Sequence, residues 1–425
     1  MAVSSWVPRI RLPSARSTTT SWPSSTSSTA AAITTAEPDA VKRLAMAPWP
    51  GLLKAILPAR PRGFDSKTGD QHMSMTSRER IRCALMGQPH DRVPYQDAFW
   101  RSTMIRWQRE GLPADVDLGE HFGCEMARIG GDYSLQFPER TLEETDRYRV
   151  YVDSDGATRK VIAIGDDWTP HWLEFTVNSS DSWQQHRDRL TYNPSRVPSL
   201  DGYRRARQKD QFVAFSAHAS FHPTWHKIGL ETMLMAMLEE PEWPADMMAM
   251  HAQLIIDIYE GMKTAGFEFD GVFLADDLGY RTAPLISPAM YREQIMPHHR
   301  RVCDHFAADG LPIVLHSDGD VRPLIPSFLE AGFTGLHPLE AKAGLDVGAL
   351  RAEHGDRLAL FGGIDATKLA GTEEEVVEEV RTKVAAGKEG AAGYLFHTDH
   401  SVPSDVSLSN YQLALRTLAE CGAYD

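Results

Sequence analysis

The chain has 425 residues, of which 42% are hydrophobic, and it carries a formal net charge of −14. This excess of acidic residues argues against a nucleic-acid groove or an anionic membrane surface as the main partner. Its four cysteines are scattered without a CxxC pair, which argues against a disulfide framework and favours a reducing, cytoplasmic location.

Residues 1–72 differ in composition from the rest of the chain. They are rich in Ser, Thr and Ala and lack periodic apolar residues, which predicts a disordered extension. Their arginines and scarce acidic residues are similar to an organelle transit peptide, but we favour a start codon assigned too far upstream, with Met73 or Met75 as the natural start. No apolar run reaches about 18 residues, so we expect no transmembrane helix.

The first part of the body combines a capped helix with an irregular, aromatic-rich region. A helix is predicted from Thr76 to Met86, followed by a turn that leads into a first strand near Tyr95. Residues 100–200 contain a predicted β-hairpin, with strands at 150–152 and 160–164. Insertions of this kind often cover the mouth of a barrel, but they can equally be peripheral additions without a role in the site.

From residue 212 onwards, short apolar runs alternate with helical segments. The predicted strands are 212–215, 271–275, 312–315, 335–339, 358–362 and 393–396. This alternation is typical of an α/β protein with a parallel sheet, and we expect residues 73–425 to form one (β/α)8 TIM barrel. Acidic residues or histidines follow the last five strands, at the barrel edge that holds active sites. The pattern therefore predicts an enzyme.

Two strand ends carry closely spaced histidines and aspartates. His316 and Asp318 are two positions apart, so both side chains can face one site, where they suit either a zinc-like ion or acid–base chemistry. His397 and Asp399 share a face in the same way, and His400 begins the following loop. Any one of these residues could instead be a cap or a surface group, and the coincidence across several strand ends carries the prediction.

Other candidates have alternative explanations. Asp276 and Asp277 are adjacent and point to opposite faces of a strand, so we expect only one of them to face the site. Glu340 and Asp365 could equally cap the helices that follow them.

Histidines and aromatic residues between residues 100 and 226 suggest a substrate pocket. His218, His222 and His226 recur every four residues, but Pro223 interrupts a helix there, so a pocket is favoured over a metal site. Trp100, Arg101, Trp168 and Trp172 could form an aromatic wall, although aromatic residues are more often part of a core.

Several motifs together make the chain resemble a known superfamily. They are Leu274–Gly279, Ile286–Arg292, His316–Gly319, Phe361–Asp365 and His397–Pro403. With them the chain resembles the uroporphyrinogen decarboxylase superfamily from about residue 76 to residue 425. The superfamily contains haem-pathway decarboxylases and corrinoid-linked methyltransferases, and the resemblance implies a (β/α)8 barrel with its site at the carboxyl ends of the strands.

The resemblance favours the methyltransferase branch. The arginine-rich stretch of the haem-pathway decarboxylase is absent, because the corresponding region holds only Arg101. The methyltransferases bind zinc through a His-x-Cys pair and a later cysteine, where this chain has His316, Asp318 and His400. The resemblance therefore implies a zinc site of these residues, joined by Glu340 or Asp276, and a corrinoid carried by a partner protein.

The resemblance thus implies a zinc-dependent demethylase-type methyltransferase that takes the methyl group of a small, flat substrate. Asp276, His400 and Arg101 are the predicted catalytic residues. The predicted substrate-binding residues are Trp100, His218, His222, Asp277, Trp168 and His397. Two alternatives stay open: a decarboxylase of a small acid or a tetrapyrrole-like substrate, in which Arg101 holds a carboxylate, and a non-catalytic ligand-binding barrel. No nucleic-acid or membrane partner is expected, and a homodimer is left open.

Overall fold

The computed structural model describes residues 75–162, 170–390 and 393–424. The predicted N-terminal extension and Trp168 lie outside these residues. The strands are β1 (Met126–Ile129), β2 (Arg140–Glu144), β3 (Tyr148–Val152), β4 (Ala157–Ile162), β5 (His171–Phe175), β6 (Phe212–His218), β7 (Gly271–Ala275), β8 (Ile313–His316), β9 (Gly335–His337), β10 (Ala359–Phe361) and β11 (Tyr394–Leu395).

Helices follow most of the strands, as predicted from residue 212 onwards. They are α1 (Ser77–Leu85), α2 (Arg101–Arg109), α3 (Leu118–Phe122), α4 (Ser180–His186), α5 (Asp201–Gln208), α6 (Phe221–Ile228), α7 (Leu230–Glu239), α8 (Glu242–Thr264), α9 (Pro288–Met290), α10 (Met296–Ala308), α11 (Ile325–Ala331), α12 (Val347–His354), α13 (Ala366–Leu369), α14 (Glu373–Gly387) and α15 (Leu408–Cys421). None of the helices in the described ranges is both long and apolar enough to cross a bilayer.

Seven parallel strands form the main sheet, in the order β1-β6-β7-β8-β9-β10-β11. The segment around Tyr95 lies between the two edges of this sheet. Tyr95 forms a parallel bridge with Phe396, just after β11, and its carbonyl accepts a hydrogen bond of 3.0 Å from the Glu125 amide, just before β1. The sheet is therefore curled and its edge strands are joined through this segment, as in a TIM-barrel-like α/β fold.

The inside of the curled sheet is apolar at its amino end. Alternate strand residues form this interior cluster, and helix α1 adds three more. Its members are Met126, Phe212, Ala214, Phe273, Val314, Ala359, Phe361 and Leu395 from the sheet and Ile81, Ala84 and Leu85 from α1. The Gly393 amide donates a 3.1 Å hydrogen bond to the Ala84 carbonyl, so α1 lies directly against the start of β11. Helix α1 thus covers the amino ends of the strands and leaves the carboxyl ends for a site.

The predicted hairpin is part of a larger insertion. Strands β3 and β4 pair antiparallel at that hairpin, and β2 and β5 extend it to a four-stranded antiparallel sheet. Strand β2 was not predicted. All five of its residues are exposed, so it lacks the alternation of apolar and polar residues that marks a half-buried strand.

Helix α6 changes the interpretation of the three spaced histidines. His218 ends strand β6, whereas His222 and His226 lie four residues apart on one face of α6. Pro223 is in the first turn of α6, where its missing N–H group would have no intrahelical partner. The expected break in the helix therefore falls before Phe221 and not at Pro223.

Candidate active site

Strand alternation brings three polar side chains to the carboxyl end of the curled sheet. Phe273 on β7 and Val314 on β8 both belong to the interior cluster. Side chains two residues apart on a strand point to the same face, so the side chains of His316 and Asp318 point to the inside of the sheet, as that of Val314 does. In the same way, the side chains of Ala275 and Asp277 point inward, as that of Phe273 does. These three residues, Asp277, His316 and Asp318, are called the ligand cluster below.

The ligand cluster has the dimensions of a site for a small cation. His316 Nε2 lies 3.6 Å from Asp277 Oδ1 and 3.8 Å from Asp318 Oδ1, and one ligand atom of each residue lies within 4.8 Å of the others. Two atoms bound to one zinc ion at tetrahedral positions are about 3.3–3.4 Å apart, given bond lengths of about 2.0–2.1 Å. Asp318 Oδ1 is buried and has no hydrogen-bond partner, which is unusual for a carboxylate oxygen unless a cation binds it.

The charges of the ligand cluster support the same conclusion. Burial, together with the negative charges of Asp277 and Glu340, holds the pKa of Asp318 well above its ordinary value. Burial alone would raise the pKa of Asp277 too, but His222 and His316 outweigh it and the pKa is lowered. Burial also lowers the pKa of His316 to about 3, so its imidazole is neutral and can offer a lone pair. The carboxyl groups of Asp277 and Asp318 repel each other when both are ionised, and a divalent cation bound between them would relieve this repulsion.

Two further histidines hold the ligand cluster in place. His222 Nδ1 lies 3.0 Å from Asp277 Oδ2, the oxygen that does not face His316. His316 Nδ1 and His337 Nδ1 form a hydrogen bond of 2.7 Å, which leaves His316 Nε2 directed at the two aspartates. Partners of this kind set the tautomer and orientation of metal ligands. His337 was not predicted as a site residue, although it ends β9 at the same level as His316 in β8.

Asp276, a predicted catalytic residue, faces away from the ligand cluster. It is fully buried and accepts hydrogen bonds from the amides of Phe221 at 3.1 Å and His222 at 2.5 Å, at the start of α6. His299 Nε2 lies 2.7 Å from Asp276 Oδ2, the oxygen that also accepts the hydrogen bond from Phe221. The structure therefore gives Asp276 the surroundings of a positioning residue that fixes α6 against β7, while Asp277 takes the place in the site.

The remaining predicted metal and catalytic residues surround the ligand cluster at different distances. His400 Nε2 is 3.9 Å from Asp318 Oδ2, and its ring stacks on Trp100 with centroids 5.7 Å apart. Glu340 Oε2 accepts a hydrogen bond of 2.8 Å from the Gly319 amide and so holds the loop after β8. Arg101 is the exposed first residue of α2, and no contact joins it to the cluster.

An aromatic wall extends from Asp277 towards the four-stranded sheet. The ring of His222 lies 5.0 Å from that of His218 and 5.1 Å from that of Trp225, centroid to centroid. Trp225 in turn contacts Trp172 on β5, at 5.8 Å. Burial lowers the pKa of His218 to about 3, so this wall is uncharged there at neutral pH. The insertion thus contributes a side of the site.

His397 lies deeper than the ligand cluster. Its ring centroid is 4.4 Å from that of His337, and its Nδ1 is 2.5 Å from the carbonyl oxygen of Thr398. Asp399 accepts a hydrogen bond from the Ala366 amide, and Asp365 accepts one from Thr367 at the start of α13. His397 therefore supports His337, and the two aspartates act as the caps that the sequence left open.

Comparison with known proteins gives a family for the second half of the chain. Residues 218–420 match the family model of uroporphyrinogen decarboxylase. The uroporphyrinogen decarboxylases of Pelodictyon phaeoclathratiforme and Rhodococcus erythropolis are 26% and 34% identical to this chain over 142 and 127 residues, respectively. These alignments cover 32% and 29% of this chain, which spans only 39% and 35% of the two relatives.

A solved structure supports the fold over a longer stretch. A methyltransferase from Methanosarcina mazei superposes with a TM-score of 0.58 and 17% sequence identity, covering 81% of this chain and 99% of that one. At this identity the likeness concerns the fold.

Proposed function

We propose that this chain, which belongs to the uroporphyrinogen decarboxylase superfamily, is a zinc-dependent methyltransferase of the demethylase type on a (β/α)8 barrel. It would move a methyl group from a small methylated aromatic compound to a corrinoid held by a partner protein. The observation that carries the proposal is the ligand cluster, in which the buried Asp318 Oδ1 has no partner.

Asp277, His316 and Asp318 would hold the metal ion. His400 would complete the set, because its Nε2 lies 3.9 Å from Asp318 Oδ2. An all-nitrogen-and-oxygen set suits zinc, and when bound the ion supplies a Lewis acid for the oxygen atom that loses the methyl group.

The other residues of the site would bind and orient the substrate. Trp100, stacked on His400, forms a flat surface on one side, and the wall of Trp225 and Trp172 forms another. Flat apolar walls beside a few polar groups are typical of pockets for aromatic molecules, and they exclude water from the reacting oxygen. His222 and His337 would keep the two ligands they contact in one orientation.

Elemental analysis and a transfer assay test this proposal together. We expect about one zinc ion per chain in the full-length protein, as one ligand cluster implies. We also expect zinc-dependent transfer from methoxyaromatic compounds to cob(I)alamin, with methylcobalamin and the free phenol as products. His316→Ala and Asp318→Asn should lose both properties. His305→Ala is the matched control, since His305 pairs with Glu260 on the outside of the barrel. Full transfer activity in a metal-free preparation would refute the proposal.

A decarboxylase is the second candidate, favoured because the curated relatives are named uroporphyrinogen decarboxylases. In this case Arg101 would hold a substrate carboxylate and His400 would move a proton. Release of carbon dioxide from a small acid or a tetrapyrrole, without any corrinoid, would support it.

A further inference from the structure

An arginine lies inside the curled sheet on a strand that sequence analysis missed. Arg128 is two residues after Met126 on β1, and Met126 belongs to the interior cluster. The Arg128 side chain therefore also points inward, one step nearer the carboxyl end. Its guanidinium carbon lies 4.7 Å from the centroid of the Phe273 ring, which confirms this direction.

The charge of Arg128 has no acidic partner among the described residues. Within residues 75–162, 170–390 and 393–424, neither a hydrogen bond nor an ion pair involves its side chain, which is exposed to the space inside the barrel mouth. Arginine stays charged in proteins at neutral pH. Burial lowers the pKa values of His316 and His337, and the positive charge of Arg128 lowers both further, so this charge acts on the site.

The orientation of Arg128 leaves its donors available. One face of the guanidinium covers the Phe273 ring, a cation–π contact that fixes the plane of the group. The N–H donors lie at the edge of that plane, where they match the two oxygens of a carboxylate. An inward cation that pairs with none of the nearby acidic residues is suited to an anion that arrives with the substrate.

We propose that Arg128 binds a carboxylate group of the substrate, so that the substrate class is small methylated aromatic acids. The inference rests on the proposed function in taking the barrel mouth as the substrate site. Phe273 pairs in register with Val314, two residues before His316. At about 3.3 Å per residue, the level of Phe273, whose ring the Arg128 guanidinium covers, lies roughly 6–7 Å below that of His316. One aromatic ring with a carboxylate at one end and a methoxy group at the other can span this separation.

Calorimetric titration of the zinc-loaded, full-length protein tests the inference. The probes are 4-methoxybenzoate and the uncharged 4-methoxybenzamide. We expect Arg128→Gln to weaken binding of the acid about 10- to 100-fold, the usual effect of losing a charge-assisted hydrogen-bonded pair, and to leave the amide unchanged. Arg128→Lys should bind the acid with intermediate affinity. Arg189→Gln is the matched control, since Arg189 covers the Phe137 ring at 4.3 Å outside the barrel.

Several outcomes would overturn the inference. They are no binding of the acid to the wild type, equal binding of acid and amide, an unchanged affinity in Arg128→Gln, or loss of acid binding in Arg101→Gln instead. Zinc content and circular dichroism of each variant identify loss of folding. If Arg128-dependent binding of the acid persists but no methyl group is transferred from it, the proposed function fails and the role of Arg128 stands.

Discussion

The hydrogen bond between His316 and His337 gives a sharp test of the metal site. His337→Leu removes the partner of His316 Nδ1, which is 2.7 Å away, without touching a proposed ligand atom. An N–H group left unpaired in a buried site costs about 1–3 kcal/mol, which corresponds to an approximately 5- to 140-fold weaker zinc affinity. This range agrees with the about 10- to 100-fold effect typical of residues behind metal ligands. His337→Gln offers a carbonyl oxygen in the same place and should recover most of the loss.

Competition between the protein and a chromophoric zinc chelator measures these affinities directly. The surroundings of His337 include the rings of Phe273 and Phe361, so leucine is compatible with the site and the variant should fold. Thermal unfolding of the metal-free variants checks this point. If His337→Leu binds zinc as tightly as the wild type, His316 does not bind the ion through Nε2 and the proposed geometry is wrong.

Three further substitutions separate binding from folding. Asp318→Asn should abolish zinc binding. It should also stabilise the metal-free protein by about 1 kcal/mol or more in urea unfolding, because it removes a buried carboxyl group beside Asp277. A metal-free variant less stable than the wild type would contradict this expectation. Gly319→Ala should destabilise the protein by about 1–3 kcal/mol. Gly319 has a φ of +82°, and a Cβ there would lie 2.5 Å from the Gly279 backbone. If the variant unfolds in urea like the wild type, alanine causes no strain at this position. Asp276→Ala should cost at least about 2 kcal/mol, because it leaves buried amides at the start of α6 without an acceptor. It should nevertheless retain zinc at saturating concentration, and loss of zinc from the folded variant would make Asp276 a ligand.

Most of the parallel sheet could be predicted because its strands are buried. Buried parallel strands appear as continuous apolar runs; the run at 271–275 coincides with β7, and the run at 312–315 overlaps β8 with a shift of one residue. The first strand near Tyr95 forms only isolated bridges instead of a regular ladder. Pro94 beside it has no N–H group to donate to a ladder, which accounts for part of the irregularity.

The choice between Asp276 and Asp277 could not be made from the sequence. A strand that is apolar on both faces hides which of its residues point inward, because Val272, Phe273 and Leu274 are all apolar. Which residues of β7 point inward becomes clear only from the structure, where Phe273 belongs to the interior cluster. If the side chains that point inward were shifted by one residue, Asp276 would take the place of the proposed metal ligand Asp277, and the predicted catalytic role of Asp276 depended on this choice.

Arg128 and His337 illustrate a different limit. Strand β1 has only four residues, and its burial does not follow a clean alternation, so the stretch around Arg128 has no strand signal. His337 meets His316 only because β8 and β9 are neighbours in the sheet, with these two residues in register. The separation of 21 residues between them carries no local pattern. Residue types that suit metal binding can therefore be recognised one strand at a time. The residues that orient a ligand or pair with a substrate charge depend on strand order and register, and they emerge only from the folded sheet.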